Sequence, residues 1–328
     1  MFTSEFCRLS FSGVTDTLVL VIVVNSLPVF ENRYVPDSAG RVTVYDLDRL
    51  LESCLTDSYT NIYIFANGTQ LGRVNLFGCA ASVAEPAQTF VTDFFLTPHT
   101  GVRDTAADRF ESLTLFCAAE EAVTARCAYV KDDLSVMEKT VAVESVVGWS
   151  ALDVSARKFL DPASGRLVGY TVLCGKRKAS YRVLAYTPKA DPAVIFRNCF
   201  NAWETFYFTG KKETSAAYTR SQANIAGKLR NYHIDETVSY RAMTGPLLHG
   251  MEIVALDLAR SKEVFLLNAD GSAGDEITVT DCDIKHSNED DEIPDLTFTY
   301  RLADRRNSRI AVTRPPRVFD NTFDETYE

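Results

Sequence analysis

Histidine is scarce in this chain, with only His99, His233, His249 and His286 among 328 residues. None stands in a zinc-protease or catalytic-triad motif, so each reads as a loop or strand-face residue. Cys-x-x-Cys is absent: the eight cysteines are scattered, mostly among apolar neighbours, as buried reduced thiols are. Basic surplus is absent too. A net charge of -10, from 34 Lys and Arg against 44 Asp and Glu, argues against a general nucleic-acid binder. No apolar run approaches the roughly 18 residues of a membrane span. The longest, residues 18–24, follows Asp16 rather than a basic flank and lacks a small-residue cleavage site, so it reads as a strand and not a signal peptide. Without export, the sequon at Asn67-Gly-Thr69 carries no weight.

The short motifs that resemble cofactor sites fail on inspection. Gly175-Lys176 lies between two strand-like runs, with Tyr170 where a phosphate loop needs glycine. The acidic run 281–292, counted as a calcium loop, places Lys285 at a ligand position and His286 where glycine is required. In the run from Asn268, Val279 falls where the bidentate acid belongs. Both read as solvated loops. Paired carboxylates for glycoside hydrolysis are not readable from spacing alone. The expectation is a protein that is not an enzyme and needs no metal or organic cofactor to fold.

What is present is β-pattern. The hydrophobic fraction of 46% and charged fraction of 24% are those of an ordinary globular chain. Turn residues recur about every 8–12 positions between apolar runs. Strand-like runs cover 6–11, 17–24, 41–45, 62–66, 70–76, 88–96, 112–118, 122–130, 140–147, 167–174 and 180–186. Beyond them come 251–258, 263–267, 276–284 and 296–302. Asn67-Gly68 marks a hairpin turn, and 99–108 reads as a polar loop. Leu47, Leu50, Leu51 and Leu55 recur at helical spacing, which makes 46–55 the clearest helix. The expected fold is mainly β: two sandwich or barrel-like domains, 1–190 and 191–312, split at the linker 188–192. An extended C-terminal arm follows at 313–328.

The most distinctive stretch is 201–248. Trp203, Thr205, Tyr207 and Thr209 alternate with Glu204, Phe206 and Phe208, a two-sided strand closed by Gly210. Residues 211–230 are polar without an apolar period and read as a long projecting loop, followed by a strand over 232–240. Long loops on a β-scaffold usually carry contacts, so Lys211, Lys212, Tyr218 and Arg220 are candidate partner-binding residues, with Trp203 and Tyr207 beside them. At the end of the chain, Pro315 and Pro316 favour extended backbone. Phe319, Phe323 and Tyr327 then recur every four residues, the pattern of an arm that docks on a neighbouring subunit.

Three segments carry a family resemblance: Phe196-Arg-Asn-Cys-Phe-Asn-Ala-Trp-Glu-Thr-Phe, Asn231-Tyr-His-Ile-Asp-Glu-Thr, and Arg317-Val-Phe-Asp-Asn-Thr-Phe-Asp-Glu-Thr-Tyr. Residues 190–328 resemble tail and baseplate proteins of tailed phages and prophages of gut Bacteroidetes. The resemblance implies a virion structural protein, made in the bacterial host cytoplasm, that assembles with copies of itself into a ring and contacts other tail proteins. It implies no catalytic residue. The alternative is a glycan-binding β-sandwich module with Trp203, Tyr207 and Tyr218 as a flat platform.

Overall fold

The computed structural model describes residues 1–52, 59–186, 189–248, 250–285 and 294–304. Strand accounts for 57% of these residues and helix for 10%, so the fold is mainly β as expected. The arm at 313–328, with Phe319, Phe323 and Tyr327, lies outside the described residues, as does most of the acidic run 281–292.

The chain opens with β1 (Arg8–Phe11), β2 (Leu18–Val24), β3 (Leu27–Tyr34), β4 (Val42–Tyr45), α1 (Leu47–Glu52), β5 (Tyr59–Ala66) and β6 (Thr69–Phe77). β3, β2, β5 and β6 form an antiparallel four-stranded sheet in that order, and β1 pairs with β4. Every residue of β2 is apolar, yet only Leu18, Leu20, Ile22 and Val24 are fully buried. The two-residue period of a strand sends those four to one face. There they meet Val42, Val44, Leu47 and Leu51 in one core. Asn67 and Gly68 both take positive φ, 48° and 79°, as a two-residue hairpin requires.

The segment expected as a strand over 88–96 is instead α2 (Ala87–Asp93). Ala87 and Val91, four residues apart, are buried, and Phe90 stacks on Phe94 at 5.1 Å. That spacing belongs to a helix face. The middle sheet follows: β7 (Val102–Thr105), β8 (Ser112–Val130), β9 (Val136–Asp153), β10 (Arg166–Cys174) and β11 (Arg177–Val183), ordered β7-β11-β10-β8-β9. β7 runs parallel to β11 inside the segment expected to be loop. The expected strands 112–118 and 122–130 are one long strand, β8. Leu115, Tyr129, Tyr170, Val172 and Tyr181 fill its core.

After residue 190 the chain enters a seven-stranded sheet. It comprises β12 (Ala193–Arg197), β13 (Trp203–Tyr207), β14 (Lys212–Ile225), β15 (Lys228–Met243), β16 (Val264–Leu267), β17 (Ala273–Lys285) and β18 (Asp295–Leu302). Their order is β13-β12-β16-β17-β18-β15-β14. Thus 1–190 holds the two-, four- and five-stranded sheets, and the position proposed as a linker is where the seven-stranded sheet begins. α3 (Met251–Arg260), expected as a strand over 251–258, packs with this sheet's core. Val254, Ala255 and Leu258 recur at three- and four-residue spacing, and all are fully buried. Gly250 begins the helix at φ 89°, where a Cβ would lie 2.5 Å from the Thr100 carbonyl.

One aromatic cluster touches all three large sheets. Phe2, Phe77, Val91, Leu96 and Phe200 are buried together, with Tyr59, Phe116 and Trp149 packed around them. Ring centroids of Phe77 and Phe116 lie 5.0 Å apart, and those of Phe90 and Phe200 also 5.0 Å. Within the first core, Leu20→Ala should lower the unfolding free energy by about 2–5 kcal/mol, the cost of a buried leucine plus its residual cavity. Urea denaturation of wild type and variant checks this through a lower midpoint at unchanged slope.

Candidate functional site

The stretch 196–243 folds into two different things: a buried root and an exposed ribbon. At the root, Asn198 closes the turn between β12 and β13. Its Oδ1 accepts from the backbone N–H groups of Phe200 and Ala202, each at 3.0 Å. Its Nδ2 donates to the Leu96 carbonyl at 2.9 Å and to Glu204 Oε2 at 3.1 Å. All four polar sites of that amide are therefore directed, as a buried amide demands.

Glu204 also receives the Arg103 guanidinium, which reaches across from β7 and donates a second hydrogen bond to the Thr205 carbonyl. Arg103 Nε lies 3.3 Å from Glu111 Oε2. Arg103, Glu111 and Glu204 are all buried. Two carboxyl groups face one guanidinium in a poorly solvated place. Burial raises the Glu111 carboxyl above its ordinary value, although Arg103 beside it pulls the other way. His99 next to this region is held neutral, pushed down to about 4, first by burial and then by the charge of Arg103.

Trp203 and Tyr207 belong to this root. Arg197 covers the Trp203 ring at 3.9 Å, and Phe265 meets it edge-on at 5.8 Å. The Tyr207 hydroxyl donates to the Phe110 carbonyl at 2.7 Å, with Arg109 over its ring at 4.8 Å. β13 and β14 lie at opposite edges of the seven-stranded sheet. The Trp203 ring is covered by Arg197 and the Tyr207 ring by Arg109, so neither presents a bare ring face.

Residues 211–230, expected as a loop, are most of a hairpin. β14 and β15 pair from Lys212↔Ala242 to Ile225↔Lys228, with Ala226 and Gly227 both at positive φ in the turn. β15 pairs with β18 only over Tyr240–Met243. From Ser215↔Ser239 outward the ribbon pairs, among the described residues, only with itself, and at ~3.3 Å per residue it projects by about 35 Å. Its two faces differ. One carries Thr214, Ala216, Tyr218 and Arg220 opposite Tyr240, Val238, Glu236 and Ile234. The other carries Glu213, Ser215, Ala217 and Thr219 opposite Arg241, Ser239, Thr237 and Asp235.

The first face and the tip leave large apolar groups in solvent: Tyr218 at 48% exposure, Ile234 at 52%, Tyr232 at 67% and Leu229 at 70%. The Tyr218 hydroxyl donates to Glu236 Oε1 at 2.8 Å, and that carboxylate raises the phenol's pKa. Arg220 lies over the Tyr218 ring at 5.4 Å. Lys212 sits at the base, paired with Asp191 at 2.6 Å and placed over the Tyr240 ring. Lys211 pairs with Glu213. The structure therefore puts Lys211, Lys212, Tyr218 and Arg220 along one ribbon. Sequence reasoning missed Tyr232, Ile234, Leu229 and Ile225 as exposed apolar residues of the ribbon. Their signal was Ala226-Gly227 standing between two runs of similar length.

The chain matches no protein-family model and no curated protein.

Removing the guanidinium in Arg103→Met strands two buried carboxylates and should cost about 3–5 kcal/mol, measurable as a lower denaturant midpoint. Glu111 supplies a pH test. Because its folded pKa is raised, the unfolded chain loses this proton first as pH rises above about 4.5, its ordinary value. The folded state is then destabilised progressively. Wild type should therefore lose stability relative to Glu111→Gln as pH rises from that point, followed by chemical denaturation across a pH series.

Proposed function

We propose that this chain is a structural subunit of a phage tail, of distal-tail or baseplate type, that assembles through the β14–β15 ribbon. The supporting observation is the ribbon itself: a paired, two-faced projection that leaves Tyr218, Leu229, Tyr232 and Ile234 in solvent. Large apolar side chains left exposed near one another are a usual mark of a protein–protein contact. The family resemblance adds the context of a tail, and the acidic, mainly β chain is compatible with it. We assign the arm at 313–328, with Phe319, Phe323 and Tyr327, as the second assembly element on its sequence pattern alone. The partners are other copies of this chain and other tail proteins, and the place of action is the virion. No catalytic step enters this reading.

The ribbon is suited to docking for an energetic reason. Its backbone hydrogen bonds are already made, so little backbone entropy remains to be lost on binding, unlike a loop that must order. Burying Tyr218 or Ile234 against a neighbour contributes about 1.5–3 kcal/mol each. Trimming either to serine should weaken self-association by roughly tenfold to a hundredfold on that scale.

The test replaces residues 215–239 by an Asn-Gly turn and compares oligomer mass by light scattering over a concentration series. The expected result is a concentration-dependent oligomer for wild type and a folded monomer with little-changed melting temperature for the shortened chain. A wild type that stays monomeric at high concentration, or a shortened chain that still assembles, overturns the ribbon's role.

A further inference from the structure

Away from the ribbon, the middle sheet gathers two thiols, a carboxylate and a guanidinium. The β8–β9 register breaks between Cys117 and Glu121, while Cys174 ends β10 at the tight turn through Gly175. The two Sγ atoms and a Glu121 oxygen all lie within 4.8 Å of one another. Cys174 Sγ is 3.5 Å from Glu121 Oε2. A tetrahedral zinc with Zn–S of about 2.3 Å and Zn–O of about 2.1 Å sets its sulfur and oxygen ligands about 3.6 Å apart. Both cysteines are buried, whereas the Glu121 side chain is 34% exposed, so the cluster opens to solvent on the carboxylate side.

We propose that Cys117, Cys174 and Glu121 bind a thiophilic divalent cation of the zinc class, with solvent as the fourth ligand. Arg177 is the positioning residue. Its Nη2 is fixed by the Val91 and Phe116 carbonyls at 2.8 and 2.7 Å. Its Nη1 donates to Glu121 Oε2 at 3.1 Å and lies 3.7 Å from Cys174 Sγ. A second partner on a ligating carboxylate orients it, as outer-shell groups do in metal sites. The charges also balance. Two thiolates and one carboxylate carry three negative charges, Arg177 one positive and the cation two. Binding releases two thiol protons to solvent, so affinity rises with pH. The apoprotein folds without the ion, because these strands already belong to the middle core. The cation is an occupant of a finished fold.

The test is titration of the chelator-treated, reduced full chain with Co2+ alone, read by its thiolate-to-metal charge-transfer absorption. The expected result is a saturating band at one ion per chain, lost in Cys117→Ser/Cys174→Ser and retained in Cys79→Ser/Cys199→Ser. Glu121→Gln, at a part-exposed position that leaves both thiols in place, should weaken binding by roughly tenfold to a hundredfold, on the scale of disturbed metal sites. It serves even if the double cysteine variant fails to fold. No thiolate band in wild type, a band that survives loss of both cysteines, or Glu121→Gln affinity equal to wild type overturns the site.

Discussion

The contact on which the arrangement most depends is the buried Arg103 guanidinium. Its own strand, β7, is four residues long and pairs with only one neighbour, β11. Yet Arg103 reaches Glu204 and the Thr205 carbonyl on β13, and Glu111 just before β8. Apolar packing holds surfaces together but sets their relative position loosely. A guanidinium with donors in a fixed fork sets it tightly. Such a cluster adds little net stability, since desolvation offsets the attraction. Its contribution is register between the middle sheet and the seven-stranded sheet. Asn198 extends the same network to the Leu96 carbonyl beside α2. The segment 196–206 is thus chiefly a joint.

The ribbon stands on that joint. Gly210 lies between β13 and β14, where a Cβ would sit 2.6 Å from the Met243 carbonyl and 2.8 Å from the Gly245 nitrogen. Only glycine lets the chain turn so tightly against the base of β15. Beyond that crossing no third strand among the described residues supports the hairpin, and a two-stranded ribbon alone is marginal in water. Its aids are local: Ser215 and Ser239 hydroxyls 3.1 Å apart, the Tyr218–Glu236 hydrogen bond, and Lys212 over Tyr240. The middle sheet has its own buried cation, Arg177, held by the Val91 and Phe116 carbonyls.

How much of this could be read from the residues depended on sequence distance. Asn67-Gly68, the alternation of 203–209 and the leucines of α1 are local patterns, and each is found where local chemistry places it. The ribbon was legible only in its return strand. A ribbon wet on both faces need not alternate strongly, so Lys212 to Ile225 looked like loop. The helices α2 and α3 were mistaken for strands because short apolar runs fit either period, and tertiary packing decided between them. The Arg103–Glu204 pair and the Cys117–Glu121–Cys174 group join residues 101 and 57 positions apart in the chain, as the pairs Arg103–Glu204 and Cys117–Cys174 show. No spacing rule reaches that far.

β15 runs unbroken from the ribbon's tip into the body of the protein, where it lies antiparallel to β18 over Tyr240, Arg241, Ala242 and Met243. A force drawn along the ribbon therefore enters the sheet parallel to the strand axis. It loads those cross-strand hydrogen bonds side by side, in shear, instead of opening them one at a time like a zipper. Tyr240 stacked on Tyr300 at 5.1 Å resists the same sliding. The projection is thus built as a tension member, stiff against a pull along its length and weakest against a sideways peel.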